Sequence, residues 1–169
     1  MKAPRIVIMG VSGCGKSTVG ILLAQRLGVA FLEGDALHPP RNIALMRSGT
    51  ALTDDDRREW LDAIAQRLQT LAEEEGLVIA CSALKRSYRD RLRQACPDLH
   101  FVHLHGSQEV IADRLAQRRD HYMPTTLLDS QFAILQAPQD DEPAWTFDVR
   151  DSVTHLVERI TQSLQEHTT

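Results

Sequence analysis

Apolar residues recur along this chain in two alternating patterns. Short continuous runs predict strands: Ile6-Val-Ile-Met9, Val29-Ala-Phe-Leu32, Leu77-Val-Ile-Ala-Cys81, Phe101-Val-His-Leu104 and Trp145-Thr-Phe-Asp-Val149. Between them, apolar positions fall at helical spacing. Val19, Leu22, Leu23 and Leu27 form one stripe, and Gly28 stands where a helix stops. Pro39-Pro40 halts the second run, and a short helix follows through Ile43, Leu45 and Met46 to Gly49. Thr53 followed by Asp54, Asp55 and Asp56 reads as an N-cap and acidic first turn. Leu61, Ile64, Leu68 and Leu71 are the apolar face of that helix, expected to run to about Glu75, with Gly76 ending it.

The same reading continues to the C-terminus. A helix opens in Ser82-Ala-Leu-Lys85-Arg86-Ser-Tyr88-Arg89 and closes near Pro97. Ser107 caps another that carries Val110, Ile111 and Leu115, interrupted by Arg118-Arg119-Asp-His121-Tyr-Met-Pro124. Leu127 to Leu135 is helical again, 137–143 is a loop, and Val153, Leu156, Val157, Ile160 and Leu164 define a terminal amphipathic helix. Strands alternating with helices predict an α/β fold with a parallel sheet, in one domain spanning 1–169. Right-handed crossovers bring the C-terminal ends of the strands to one edge, where ligands bind in such sheets.

One segment at that edge carries specific chemistry. Gly10-Val11-Ser12-Gly13-Cys14-Gly15-Lys16-Ser17-Thr18 has the spacing G-x-x-x-x-G-K-[ST] between a predicted strand and a predicted helix, the context that makes it a phosphate-binding loop. Its glycines let successive backbone N–H groups turn inward toward an anion, and the helix beginning near Lys16 adds the positive end of its dipole. Lys16 is expected to reach the β- and γ-phosphates of ATP, and the Ser17 hydroxyl to hold Mg²⁺.

Composition narrows the partners. Lys and Arg number 19 against 23 Asp and Glu, a net charge of 19 − 23 = −4, with no basic block, which argues against nucleic acid. No apolar run reaches membrane-spanning length, and Met1-Lys-Ala-Pro-Arg5 leads straight into a strand, so a cytoplasmic protein without signal peptide or membrane contact is expected. Cys14, Cys81 and Cys96 are an odd number without metal-ligand spacing and read as reduced thiols.

Past the second strand stands Asp35, followed by His38. Phosphoryl transfer to a hydroxyl needs a carboxylate to orient that hydroxyl and accept its proton, and Asp35 is the candidate, set against a purely turn-forming aspartate. The third and fourth predicted strands end in Cys81-Ser82 and His105-Gly106, so the metal-binding aspartate of motor-type ATPases is missing, and Asp35 is expected to serve the Mg²⁺ shell through water as well. Asn42 is the sole asparagine and is followed by Ile43, so N-K-x-D is absent, as is D-x-x-G, which argues against a GTPase switch. Arg114, Arg118 and Arg119 precede an irregular segment and form either a solvated face or a lid, about 114–127, whose arginines fold over phosphates. Arg57, Arg58, Arg86 and Arg89 are further basic candidates, each also readable as a surface residue.

Longer strings carry a resemblance. Gly34-Asp35-Ala-Leu37-His38-Pro39 with Asn42-Ile43, then Met46, Gly49, Leu52, Asp54-Asp55-Asp56-Arg57 and Trp60-Leu61, resembles the gluconate kinase family. So do Cys81-Ser82-Ala-Leu84-Lys85 with Tyr88-Arg89-Asp90 and Leu92-Arg93, and Leu127-Leu128 with Ser130-Gln131-Phe132 and Leu135. The resemblance spans essentially the whole chain. It implies a phosphate-loop kinase fold with sheet order 2-3-1-4-5 and a lid, related to shikimate and nucleoside monophosphate kinases and often dimeric. It implies ATP-dependent phosphorylation of D-gluconate, with a sibling kinase for another small acid or polyol such as shikimate, or a nucleotide-sensing protein without transfer, as alternatives. It further implies Gly10 to Thr18 for ATP with Arg114 and Arg118 from the lid, Asp35 as base, and His38, Arg57, Lys85 and Arg89 near the sugar acid. Arg89 is the foremost expected partner of the substrate carboxylate, because a guanidinium fork matches that group. The chain departs from the family pattern at Asp120-His121-Tyr122-Met123 and at Glu59.

Overall fold

A computed structural model describes residues 2–118 and 124–168. The elements in chain order are β1 (Arg5–Met9), α1 (Lys16–Leu27), β2 (Ala30–Glu33), α2 (Pro40–Arg47), α3 (Asp54–Gln69), β3 (Leu77–Ala80), α4 (Arg86–Ala95), β4 (His100–His105), α5 (Gln108–Ala116), α6 (Thr125–Ile134), β5 (Ala144–Asp148) and α7 (Val153–Thr168). A short 3-10 turn, Gly34–Leu37, joins β2 to the segment before α2.

The five strands pair in the order β2-β3-β1-β4-β5, all parallel. The crossover helices cover both faces, and the central strands are apolar on both sides. Alternation along β1 splits the core in two. Ile6 and Ile8 join Val102 and Leu104 beneath α1 and α7, whereas Val7 and Met9 join Ile79 and Phe101 beneath α3 and α4. Each large side chain buried this way contributes about 1.5–3 kcal/mol.

Two boundaries differ from expectation for tertiary reasons. Helix α3 ends at Gln69, well before Glu75. The Arg5 guanidinium donates to the carbonyls of Ala72 at 2.6 Å and Glu75 at 3.2 Å, and the Ala72 N–H donates to the Glu75 side chain at 3.0 Å. Those bonds hold 72–75 as a turn that local periodicity does not foresee. Strand β2 extends through Glu33, because Glu33 pairs in register with Ala80 of β3. Gly34 follows at a close approach: a Cβ there would stand 2.3 Å from the Ala80 carbonyl oxygen. Leu22, placed on the buried stripe of α1 by its spacing, is 40% exposed.

The expected N-cap of α3 is present as a full capping box. The Thr53 hydroxyl accepts from the Asp56 N–H and the Asp56 carboxylate accepts from the Thr53 N–H. Three acidic residues in the first turn, Asp54 to Asp56, complement the dipole. This helix start matters for function, since it brings Asp54, Asp56 and Arg57 beside the turn that carries Asp35 and His38.

Candidate active site

The phosphate loop leaves β1 at Gly10, whose N–H donates to the Ser82 carbonyl at 3.2 Å, and enters α1 at Lys16. Gly13 has φ 85°, and a Cβ on it would meet Leu115 of α5 at 2.7 Å, so both backbone and packing demand glycine there. Val11 and Cys14 are buried beneath the loop. The Lys16 ammonium folds over the loop, donating to the carbonyls of Gly10 and Val11 at 3.0 Å each.

A cleft of about 520 Å³ opens above the loop, lined among others by Lys16, Ser17, Thr18, Glu33, Asp35 and Arg118. Volume alone does not choose this site. A cleft of about 570 Å³ lies at the opposite edge of the sheet, between Pro4, Gly28, Arg67 and Gly76, but no residue of the phosphate loop lines it.

Glu33 is the residue that sequence reasoning missed. It stands at the C-terminal end of β2, and its carboxylate accepts a hydrogen bond from the Ser17 hydroxyl. With Asp35 on the same rim, the cleft sets the Ser17 hydroxyl beside two carboxylates, all hard oxygen donors. The described residues contain no group of three or more His, Cys, Asp or Glu side chains arranged to hold a metal by themselves. That pattern fits Mg²⁺, which uses one or two carboxylates together with substrate phosphates and water, and does not fit a metal caged by protein ligands. The signal for Glu33 was its place as the last strand residue, hidden until strand pairing fixed where β2 ends.

Asp35 is 67% exposed at the side chain, and the Nε2 of His38 lies 3.9 Å from its Oδ1. His38 is buried, with its ring stacked on Trp60 at 4.3 Å between centroids and 14° between planes. Burial pushes its imidazole below the ordinary value; the Asp35 charge opposes that shift and the Arg57 charge adds to it. The ring is therefore neutral at pH 7. Cys81, at the end of β3, is driven by burial up to about 12, so it is a protonated thiol and no nucleophile.

Arg57 and Lys85 meet in one cluster around Tyr88. The Lys85 ammonium donates to both oxygens of Asp54 at 2.9 and 3.1 Å, and the Tyr88 hydroxyl donates to Asp54. Arg57 donates to the Leu52 carbonyl at 2.7 Å and to the Tyr88 oxygen at 3.2 Å. Burial first and the Asp54 bond second raise Tyr88 to about 12, which keeps it a phenol. The Tyr88 and Lys85 bonds hold the Asp54 carboxyl below its usual range. The Arg57 charge also acts on His38, adding to the downward shift of its imidazole.

Arg89 is a correction. The expected carboxylate reader is 0% exposed and bonded along its whole fork. Its Nε and Nη2 donate to Glu142 at 2.7 and 3.1 Å, and its Nη1 donates to the Ala83 and Leu84 carbonyls at 2.9 and 3.3 Å. No face is left for a ligand. Arg114 does not enter the cleft either: it lies within α5, and its guanidinium donates to the Val149 carbonyl beyond β5. Arg118, one residue past the Gln117 cap of α5, does line the cleft. The centre of the expected lid, 119–123, lies outside the described residues. On the far side of that segment, Gln131 of α6 accepts from the Ser12 N–H at 2.7 Å and so ties α6 to the phosphate loop.

Known proteins resemble this chain in sequence and fold. A family model for shikimate kinase matches residues 12–160. The gluconokinase of Gluconobacter oxydans is 50% identical over 144 residues, covering 85% of this chain and 81% of that protein. The thermoresistant gluconokinase of Escherichia coli is 47% identical over 137 residues, 80% of this chain and 78% of that one. A crystal structure of a gluconokinase from Sinorhizobium meliloti superposes with a TM-score of 0.86 at 44% identity, over 99% of this chain and 98% of the other. Half the residues identical across four-fifths of both partners, on a fold that matches end to end, place the chain in the gluconokinase family, built on the phosphate-loop fold that the shikimate kinase model describes.

Proposed function

We propose that the protein transfers the γ-phosphoryl group of ATP to the primary hydroxyl of D-gluconate, yielding ADP and 6-phospho-D-gluconate. The observation that carries this reading is the convergence of the phosphate loop, Glu33, Asp35 and Arg118 on one cleft in a chain of this family. The loop N–H groups and the start of α1 hold the phosphates, and Lys16 exchanges its loop carbonyls for phosphate oxygens. Asp35 accepts the proton of the gluconate hydroxyl as its oxygen bonds to the γ-phosphorus. The bond from phosphorus to the bridging oxygen breaks, and its electron pair leaves with ADP. Lys16 and Arg118 compensate the charge on the transferring group.

The Ser17 hydroxyl and the Glu33 carboxylate, with Asp35 through water, would hold Mg²⁺. When bound, the ion supplies charge neutralisation at the phosphate oxygens. The gluconate carboxylate goes to Arg57 and Lys85, which meet at Tyr88 and need only exchange Tyr88 and Asp54 for a ligand carboxylate.

A coupled ADP-release assay with D-gluconate, glucitol and shikimate tests the reading. Turnover with gluconate well above the other two is expected. Preference for shikimate would make the protein a sibling kinase, and nucleotide binding without acceptor-stimulated turnover would make it a sensor. No helix among the described residues is long and apolar enough to cross a membrane.

A further inference from the structure

The chain contains a single asparagine, and its amide is buried completely between His38 and the start of α3. Asn42 Nδ2 lies 2.8 Å from the Asp56 carbonyl oxygen and 3.2 Å from His38 Nδ1. The Asp56 carbonyl can only accept. The Asn42 atom facing it must therefore be the amide nitrogen, since the flipped amide would set oxygen against oxygen at 2.8 Å. The second N–H of the same nitrogen then points at His38 Nδ1, which has to be the bare, accepting nitrogen. A ring bare at Nδ1 carries its one proton on Nε2, the atom 3.9 Å from the Asp35 carboxylate. Asn42 Oδ1 is left buried without a hydrogen-bond partner, so this orientation is kept although it leaves an acceptor unused.

Trp60 fixes both partners of the contact. Its ring stacks on His38, and its Nε1–H donates to the Gly34 carbonyl at 2.8 Å, one residue before Asp35. Among the described residues, His38 is the side chain within ion-pair distance of the exposed Asp35 carboxylate.

We propose that His38 is a positioning residue for Asp35: Asn42 and the Asp56 carbonyl lock its imidazole in the Nε2–H tautomer, and that hydrogen is presented to one carboxylate oxygen. The other oxygen is thereby aimed at the acceptor hydroxyl. At 3.9 Å the pair is an electrostatic contact, longer than a hydrogen bond. Such contacts shorten when the reacting complex assembles. The inference rests on the reading of Asp35 as the base.

Nitrogen-15 NMR of the full, labelled wild-type chain at neutral pH tests the lock directly. The His38 signals are assigned by their loss in His38→Gln. A protonated Nε2 with a bare Nδ1 is expected; a protonated Nδ1, or the averaged shifts of a free imidazole, would overturn the proposal. Kinetics test the consequence. His38→Gln sets an amide nitrogen at the place of Nε2, whereas His38→Asn sets it at the place of Nδ1, and both remove the stack on Trp60. In His38→Asn, kcat with gluconate should fall about ten- to a hundredfold, the range for a lost bond to a charged group, with KM for ATP held. His38→Gln should recover most of that loss. Equal losses in the two variants would reduce His38 to packing. If Asp35→Asn kept full turnover, the base assignment would fall instead, whatever the tautomer.

Discussion

Arg89 and Glu142 form a two-bond ion pair in which neither side chain has any exposed surface, 53 residues apart in the chain. The same guanidinium holds the carbonyls of Ala83 and Leu84, in the connection that leads from β3 to Lys85. Ala83 there has φ 43°, a conformation rare outside glycine. Arg93 adds a second cation to Glu142 at 3.2 Å. The pair braces the connection from β3 to Lys85.

Removing one partner would leave the other charged and buried. Arg89→Ala or Glu142→Ala should each cost about 3–5 kcal/mol of stability, read as a large fall in Tm. The discrimination between gluconate and glucitol by whatever Arg89→Ala protein remains folded should stay close to wild type. Loss of that discrimination with unchanged Tm would restore Arg89 as a carboxylate reader.

Glu142 also predicts a pH dependence. Burial opposes its ionisation, but the Arg89 bond, the Gln139 N–H and Arg93 outweigh that and hold the carboxyl at about 2. A group whose folded value lies below its unfolded one contributes stability that is full above the unfolded value, here near 4.5, and lost as pH falls through about 2. Urea unfolding of wild type and Glu142→Gln between pH 6 and pH 2 checks this, over a range of about four pH units chosen to bracket both values. The difference in stability between the two should shrink as pH falls; a constant difference would refute the assignment.

Lys16→Ala should remove most transfer, because Lys16 is the cation of the phosphate loop itself. A folded variant with near wild-type ADP release would show that the loop does not hold the transferring phosphate.

Asp35→Asn keeps the shape of the side chain and removes its charge. Loss of a general base costs about 10²- to 10⁴-fold in rate. Turnover should fall by that factor in the coupled assay while ATP affinity, measured by calorimetry, changes far less.

With Arg89 withdrawn into the core, Arg57 and Lys85 are the residues proposed to read the substrate carboxylate. Lys85→Met keeps the stem and removes the ammonium, which is partly exposed at 26% and bound to Asp54. A tenfold to hundredfold loss of kcat/KM for gluconate is expected, about the value of one hydrogen bond to a charged group. Activity on glucitol should change little. Equal losses on both acceptors would assign Lys85 to holding Asp54 alone.

Local order was sufficient for much of this protein. The phosphate loop is legible because its function needs glycines, a lysine and a hydroxyl at fixed spacing on contiguous backbone, between a strand and a helix that their own periodicity reveals. The five strands and the Thr53 cap are legible for the same reason: each depends on neighbours within a few residues. Tertiary structure decided what depends on distant partners. Arg89 looks like a surface cation at the head of a helix until Glu142 arrives from a loop 53 residues later and takes it into the core. Helix α3 stops at Gln69 because Arg5, on the first strand, captures the carbonyls of Ala72 and Glu75. Glu33 joins the site only through the pairing of β2 with β3, which carries the strand one residue further and sets its carboxylate against Ser17. An ionised side chain has no intrinsic preference between solvent and a buried counter-ion strong enough to read from its neighbours in sequence; the fold supplies the counter-ion, and with it the role.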